Sequence, residues 1–195
     1  MRLHVGCGSV YLREWVNVDL PLPSVFLAKE RPDLVERFAT MESDYYGRHK
    51  DKTPEKWRKG AITQETCCDV YGSFAFFPVR PCSAEEILSR QAFEHLDRSQ
   101  AREAINQCYA ALKPGGFLRI DVPDPDETLR QFAKSKDEFY IRHLFGPRRD
   151  VYGFHTHYTR DMLKKIVEEQ PFRLVQEEAN IHADYPAFCL RFKRC

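Results

Sequence analysis

The chain has 195 residues, 43% of them hydrophobic, with 30 basic and 29 acidic residues and a formal net charge of +1. This length predicts one domain with a core large enough for helices packed on a sheet. The balanced charge gives no support to a nucleic-acid partner. No apolar run approaches the ~20 residues of a membrane-spanning helix, so we expect no membrane partner. Met1-Arg2 leads directly into the first strand and its glycine turn, so we also expect no signal peptide.

The seven cysteines are scattered, odd in number and free of any Cys-x-x-Cys pair. This spacing does not match a zinc site. We therefore expect reduced thiols, several of them buried, in a protein of the cytoplasm.

The start of the chain predicts a ligand-binding turn. A short apolar strand at 2–6 runs directly into Gly6-Cys7-Gly8. Glycine lacks a Cβ atom, so the backbone can turn sharply and approach a ligand closely. Asp19 lies eleven residues after Gly8 and closes a second apolar strand at 15–19. A strand, a glycine turn and a second strand that ends in a carboxylate form a nucleoside-binding arrangement, in which the carboxylate accepts the ribose hydroxyls.

The glycine turn has two other interpretations. An ordinary tight turn can have the same sequence, because a lone Gly-x-Gly is a weak signal. Dinucleotide binding needs a third glycine three residues after Gly8, where this chain has Tyr11. The turn therefore favours a ligand other than a dinucleotide.

The rest of the chain alternates between strand and helix patterns, which predicts a mainly parallel sheet with helices. The chain between the first two strands holds only 9–14, so we expect a first crossover helix of about one turn. Lys113-Pro114-Gly115-Gly116 is expected to end one helix and turn the chain into the next strand. In chain order the further predicted elements are a helix at 32–38, strands at 64–69 and 86–90, a helix at 97–112, a strand at 117–122, helices at 125–135 and 159–169, and an antiparallel hairpin of strands at 172–178 and 187–193.

The segment 21–65 is longer than an ordinary connection between parallel strands. We interpret it as an insertion that covers the ligand, recognises the substrate or forms a homodimer contact. Its aromatic residues Tyr45, Tyr46 and Trp57 suit any of these roles. A surface excursion without such a role is the alternative.

Several segments occur in a fixed order along the chain: LHVGCG, EWVNVD, Asp69-Val70, QAFEHL and LKPGGFLRIDVPD. This series resembles the class I S-adenosylmethionine-dependent methyltransferases, and within them a small bacterial-type group with LxxGCG, GWxNVD, HVLEHL and LKPGGxLRxxVPD. The resemblance covers roughly 3–20 and 65–125. LKPGG is its most specific part.

The resemblance implies a Rossmann-like α/β fold with a mainly parallel seven-stranded sheet and an antiparallel edge strand, over a single domain at 1–195. It also implies S-adenosylmethionine as cofactor and S-adenosylhomocysteine as product. Asp19 is then expected to bind the ribose, and Asp69 to accept from the adenine amino group. The cofactor-binding residues that we predict on this basis are Val5, Gly6, Cys7, Gly8, Asp19, Leu20, Asp69, Val70, Ser89, Arg90 and Gln91.

The catalytic candidates are His95, Glu94 and His155. In one branch of related methyltransferases a Glu-x-x-Glu-His run binds a divalent metal, but this chain has Gln91 at the first position, which is a poor ligand. We therefore predict no metal. Glu94 and His95 can also make local hydrogen bonds that hold the loop, and histidine can act as a general base.

The sequence has no Asn/Asp-Pro-Pro-Tyr run after the fourth strand, which disfavours nucleic-acid and amide N-methylation. We therefore expect a small-molecule or glycan acceptor. One alternative is a non-catalytic module of the same fold, suggested by the short first crossover and by the lack of helices before the first strand. The other is a nucleotide-sugar-binding or nucleotide-sugar-modifying protein, which would share the glycine turn and the ribose carboxylate.

Overall fold

The computed structural model describes residues 1–42, 65–77, 79–145, 156–182 and 185–195. The strands are β1 (Arg2–Val5), β2 (Tyr11–Leu12), β3 (Val16–Asp19), β4 (Val25–Leu27), β5 (Ala39–Thr40), β6 (Thr66–Cys68), β7 (Val70–Tyr71), β8 (Ala84–Arg90), β9 (Leu112–Pro123), β10 (Phe172–His182) and β11 (Tyr185–Arg194). The helices are α1 (Pro32–Phe38), α2 (Arg98–Ala111), α3 (Pro125–Ser135), α4 (Glu138–Phe145) and α5 (Arg160–Val167).

Seven strands form one sheet in the order β10-β11-β9-β8-β1-β3-β7. Strands β9, β8, β1, β3 and β7 are parallel, and β11 is antiparallel to both of its neighbours. This confirms the predicted α/β fold with a mainly parallel seven-stranded sheet. The antiparallel strand is β11, and its hairpin partner β10 lies at the edge of the sheet.

The parallel strands end at one side of the sheet, here called the carboxyl edge. From β1 the chain proceeds to β3 and β7 on one side, whereas β8 and β9 lie on the other side. The order of strands therefore reverses between β1 and β8. Open α/β sheets bind ligands beside such a reversal, outside the carboxyl ends of the strands.

The prediction of a one-turn helix in the first crossover is wrong. Residues 6–15, all of which the structure describes, contain no helix. The segment instead forms β2, which pairs in parallel with β5 through Tyr11↔Ala39 and Leu12↔Thr40. Asn17 holds this extended path, because its side chain accepts from the Leu12 N–H at 2.9 Å and donates to the Leu12 carbonyl at 3.0 Å.

The third strand was predicted too early, at 64–69. Within 66–68 the chain forms β6, which pairs with β4 in a separate two-stranded sheet. The main sheet receives only β7, whose Val70 pairs with Val18. Apolar character alone did not distinguish two consecutive short strands from one longer strand.

Parts of the insertion at 21–65 are ordered elements, namely β4, α1, β5 and β6. Helix α1 covers the predicted range and buries Leu34 and Phe38 against Cys67. Residues 43–64 lie outside the described part of the chain, and with them Tyr45, Tyr46 and Trp57. The proposed contact of this insertion with acceptor or partner stays a prediction.

Helix α2 begins as the sequence predicts. The Asp97 side chain accepts from the backbone N–H groups of Ser99 and Gln100, and the Gln100 side chain accepts from the Asp97 N–H. This reciprocal capping satisfies N–H groups that a helix start leaves unpaired. The buried face of α2 consists of Ala101, Ala104, Ile105, Cys108 and Ala111.

The Lys113–Gly116 segment lies within β9 rather than before it. Helix α2 ends at Ala111, and the register slips between Ala84↔Leu112 and Glu86↔Phe117. Gly115 has a φ of +78°, and a Cβ on Gly116 would lie 2.9 Å from the Lys113 carbonyl oxygen. Only glycines fit this irregular pairing, so the segment is structural, as predicted.

No helix in the described ranges is long and apolar enough to cross a membrane.

Candidate functional site

The glycine turn lies at the carboxyl edge, directly after β1. The N–H groups of Gly6 and Cys7 donate to the Val18 carbonyl at 2.9 and 3.3 Å, which ties the turn to β3. Gly6 and Gly8 have φ values of +71° and +51°. A Cβ on Gly6 would lie 2.5 Å from the Ala92 Cβ, whereas a Cβ on Gly8 would have no atom within 4 Å. The turn therefore packs tightly on one side and is open at Gly8.

Asp19 meets this turn. Its Oδ2 accepts from the Gly8 N–H at 2.7 Å, and its Oδ1 accepts from the Leu20 N–H at 2.8 Å. The Cys7 thiol also donates to Oδ2, at 3.6 Å, so Oδ1 is the oxygen that can accept a further hydrogen bond. The two features that the sequence placed eleven residues apart thus form one surface, beside the exposed side chain of Leu20.

Cys7 contributes backbone rather than thiol chemistry. Its side chain is 4% exposed, and burial, with the Asp19 carboxylate second, raises the pKa of the thiol well above its usual value. A thiol that stays protonated is a poor nucleophile. Val5, the residue before the turn, likewise buries its side chain in the core and offers only backbone to the site.

Asp69 joins three parts of the fold, and its expected contact with adenine stays a prediction. Its Oδ1 accepts from the Tyr11 hydroxyl at 2.5 Å, and its Oδ2 accepts from the backbone and side-chain N–H groups of Asn17 at 2.7 and 3.0 Å. Asp69 also precedes β7, whereas the carboxyl edge lies after Tyr71. The structure thus gives Asp69 the role of joining the crossover to β3. Val70 lies within β7, paired with Val18.

The residues at the carboxyl end of β7 lie beside Asp19, and the sequence did not predict them as site residues. Tyr71 pairs with Asp19, and the Gly72 N–H donates to the Asp19 carbonyl at 2.9 Å. The Tyr71 hydroxyl donates to the Val25 carbonyl at 3.1 Å. The Tyr-Gly pair directly after Asp69-Val70 was the available sequence signal, because glycine often follows a strand at a turn.

Ser89 and Arg90 do not present their side chains at the carboxyl edge. Ser89 is fully buried within the sheet core. The Arg90 guanidinium, also buried, forms an ion pair with Glu42, with Nη2 and Oε1 3.1 Å apart. Because side chains alternate along a strand, these two residues lie on opposite faces of the sheet. Their side chains therefore face away from the carboxyl edge, and their contact with the cofactor stays a prediction.

Gln91 follows β8. Of the three predicted residues at the end of this strand, it is the one whose side chain lies at the carboxyl edge. Its backbone N–H donates to the Asp121 carbonyl at 2.8 Å, and its side-chain Nε2 donates to the Asp121 Oδ1 at 2.7 Å. Its φ is +51°, in the left-handed region. Asp121 was not predicted, although a carboxylate inside the apolar run Leu118–Val122 was a visible signal.

Glu94 and His95 lie in a 3-10 turn at Phe93–His95. Glu94 is 2% exposed, and burial raises the pKa of its carboxyl to about 8, with the Asp121 charge adding to the effect. Glu94 therefore holds its proton at neutral pH. Its carbonyl accepts from the Thr156 N–H at 3.1 Å, which ties this turn to the chain before α5. The third catalytic candidate, His155, lies outside the described residues.

Among the described residues no three His, Cys, Asp or Glu side chains are grouped so as to hold a metal ion. We expect protein purified without added metal to contain less than about 0.1 equivalent of zinc, iron or magnesium, since such ions are held by grouped Cys, His, Asp or Glu side chains. Elemental analysis by mass spectrometry checks this. A stoichiometric metal that survives dialysis against a chelator would contradict the prediction.

The fold occurs in solved structures of methyltransferases. A SAM-dependent methyltransferase from Methanosarcina mazei is 14% identical, with a TM-score of 0.57 over 99% of this chain and 91% of that one. The N-methyltransferase NodS from Bradyrhizobium japonicum, solved with S-adenosylhomocysteine, is 15% identical, with a TM-score of 0.51 over 99% of this chain and 76% of that one. Magnesium protoporphyrin IX methyltransferase from Synechocystis, also solved with that ligand, is 12% identical, with a TM-score of 0.51 over 100% and 74%.

No protein-family model and no curated protein matches the sequence. The class that the architecture defines is therefore the Rossmann-like fold of these methyltransferases, and the similarity is one of fold.

Proposed function

We propose that this protein transfers a methyl group from S-adenosylmethionine. The observation that carries the proposal is the 2.7 Å hydrogen bond between the Gly8 N–H and the Asp19 carboxylate, which unites a glycine turn and a strand-end carboxylate at the reversal of strand order. Two neighbours of the same fold were solved with S-adenosylhomocysteine.

The residues present fit such a cofactor. Open space around Gly8 and its φ of +51° leave its backbone accessible to a ligand. Asp19 has remaining acceptor capacity for ribose hydroxyls, and charge-assisted hydrogen bonds of this kind are strong. In this arrangement Gly6, Cys7 and Gly8 contact the methionine part through the backbone. Leu20 and the end of β7 border the nucleoside.

When bound, the cofactor supplies an electrophilic methyl group on a sulfonium. The protein's part is to hold the acceptor in line with that methyl group and to exclude water, which can provide much of the rate. A general base is therefore not essential. Glu94, neutral at pH 7, acts in this proposal as a hydrogen-bonding group rather than as a base, and His95 and His155 stay catalytic candidates.

For the acceptor we propose a small molecule or a glycan, and neither a nucleic acid nor a membrane. The support is the absence of Asn/Asp-Pro-Pro-Tyr, since β8 is followed by Gln91-Ala92-Phe93. We propose the cytoplasm as the compartment, because all seven cysteines are free thiols and five of them are buried.

We expect Asp19→Ala to weaken S-adenosylhomocysteine binding by about 2 kcal/mol, roughly thirtyfold, because hydrogen bonds to a charged group are lost. Isothermal titration calorimetry on the wild type and the variant measures this. Asp137→Ala is the matched control, because the exposed Asp137 carboxylate also accepts a backbone N–H, from Phe139 at 2.9 Å. Equal affinity of wild type and a folded Asp19→Ala would remove Asp19 from the site.

The same titrations separate the two alternatives. A non-catalytic module that has lost its ligand shows no heat of binding with S-adenosylhomocysteine. A nucleotide-sugar protein binds UDP-glucose instead, and S-adenosylhomocysteine fails to displace it. If S-adenosylhomocysteine binds and displaces UDP-glucose, the result supports the methyltransferase proposal.

A further inference from the structure

We infer that a cavity on the face of the sheet opposite helix α2 binds a small organic carboxylate through the guanidinium group of Arg191. This site goes beyond the proposed function, because the cavity lies over β9, β11 and β10, and two strands separate β11 from β1 and its glycine turn. It is therefore a second ligand site.

The cavity lies where side chains of three neighbouring strands meet. On β9, Leu118 and Ile120 belong to the hydrophobic core that α2 also enters, so Arg119 between them faces the opposite side of the sheet. Arg119 is directly opposite Arg191 of β11, and Arg191 is opposite Gln176 of β10. The cavity has a volume of about 170 Å³ and is lined by Arg119, Gln176, Glu178, Cys189 and Arg191. A cavity needs roughly 10–15 Å³ to hold one water molecule, so this one has room for a small organic molecule.

Arg191 presents a fixed guanidinium group with donors that the described part of the chain does not fill. Its Cζ atom lies 4.0 Å from the centroid of the Phe117 ring, a stacking contact that holds the group in place. Its ion contact with Glu86 joins Nη2 and Oε1 at 3.6 Å, which is longer than a hydrogen bond. The Nε atom is buried and has no hydrogen-bond partner among the described residues. Because 34% of the side chain is exposed, a ligand can reach the guanidinium group.

The charges around Arg191 leave it incompletely paired. Arg119 and Arg191 are directly opposite each other on antiparallel strands, where like charges repel. Arg119 is compensated by the Glu42 carboxylate, to which it donates a hydrogen bond. The Oε1 atom of Glu86 lies 3.6 Å from both arginines, so one carboxylate is shared between two cations. A carboxylate from a ligand completes the pairing of Arg191.

The lining favours a ligand with a single negative charge. The planar fork of donors on a guanidinium group matches the two oxygens of a carboxylate. Glu178, also in the lining, carries a carboxylate that accepts from the Gln176 amide at 2.5 Å, and its charge repels a dianion such as phosphate. Cys189 is a neutral part of the wall, because it is 4% exposed and burial raises the pKa of its thiol to about 11. The ligand class is therefore a small monoanionic organic acid.

The test is a titration of isotope-labelled wild-type protein with sodium acetate at pH 7 and constant ionic strength, followed by nuclear magnetic resonance of the arginine Nε–H groups. We expect the Arg191 signal to shift and to saturate at millimolar acetate. Inorganic phosphate should need at least about threefold more ligand for the same shift. Arg2 is the control within the same spectrum, because it is also 34% exposed and stacks on Trp15 at 4.9 Å, but already donates to Glu14 at 2.6 Å. Its signal should stay in place.

Two variants test the assigned groups. Arg191→Lys keeps the positive charge but loses the planar fork, so the acetate affinity, read from the Cys189 backbone amide, should fall at least about threefold. Glu178→Gln removes the repulsion of a dianion, so the preference for acetate over phosphate should shrink. The wild-type titration decides the question even if either variant fails to fold.

Three outcomes overturn the inference: no shift at Arg191, equal shifts at Arg191 and Arg2, or a shift that rises without saturation. A further titration in saturating S-adenosylhomocysteine separates this site from the proposed cofactor site, since the methionine part of that ligand also carries a carboxylate. If S-adenosylhomocysteine abolishes the acetate shift at Arg191, acetate reports the cofactor site and the inference is wrong. If the protein binds acetate at Arg191 but does not bind S-adenosylhomocysteine, the proposed function fails and the second site stands.

Discussion

Gly6→Ala will be strongly destabilising, by about 2–5 kcal/mol in the free energy of unfolding. An alanine at φ +71° is strained by about 1–2 kcal/mol, and its Cβ would lie 2.5 Å from the Ala92 Cβ, which adds an overpacking cost of about 1–3 kcal/mol. Urea unfolding followed by circular dichroism measures the change.

Gly8→Ala is the matched control for this prediction. Gly8 also has a positive φ, +51°, but a Cβ there would meet no atom within 4 Å. Only the backbone cost of about 1–2 kcal/mol applies, so this variant should stay clearly more stable than Gly6→Ala. Adding Ala92→Gly to Gly6→Ala should recover part of the loss, as a double-mutant cycle would show. Equal losses at Gly6 and Gly8, without recovery, would contradict the contact between the turn and Ala92.

Glu94→Gln will be more stable than the wild type at alkaline pH, by about 4 kcal/mol at pH 8. Burial raises the pKa of Glu94 from 4.5 to about 8 in the folded protein. For a group whose folded pKa is raised, the stability contribution is fully present below the unfolded pKa and is lost as the pH rises toward the folded pKa. The loss therefore falls between about pH 4.5 and 8, at about 1.4 kcal/mol for each unit of pKa shift.

The measurement is the difference in unfolding free energy between Glu94→Gln and wild type at pH 5, 6, 7 and 8. A glutamine has nearly the same volume and no charge, so the difference isolates the titration of Glu94 from that of the histidines. Glu103→Gln, on the exposed face of α2, is the control for replacing a surface carboxyl by an amide. A pH-independent difference for Glu94→Gln would mean that Glu94 is already ionised in the folded protein.

The two predictions concern neighbouring parts of the candidate site, namely the glycine turn at Gly6 and the buried carboxyl group of Glu94. The Gly6 turn is locked against Ala92, and Glu94 lies two residues beyond Ala92 with its carbonyl bound to the Thr156 N–H. The 90–96 segment therefore joins the glycine turn to the chain that enters α5. A change at Glu94 is expected to reach the site through this segment.

The sequence by itself determined the local features. The Gly6–Gly8 turn, helix α1 over Pro32–Phe38 and the starts of helices α2 and α5 occur within one residue of the predicted positions. A helix start depends on interactions within a few residues, such as a side chain that accepts an N–H two or three positions later. The strand-end position of Asp19 was also predictable, because the apolar run ends there.

Only the tertiary structure decided what the polar side chains at the candidate site contact. The Asp69 carboxylate accepts from Tyr11 and Asn17, which are 58 and 52 positions away. Ser89 is buried, whereas Asp121, 30 positions from Gln91, orients that side chain. A strand pattern shows that residues alternate between two faces, but which face and which neighbour each side chain meets depends on the register with strands distant in the chain.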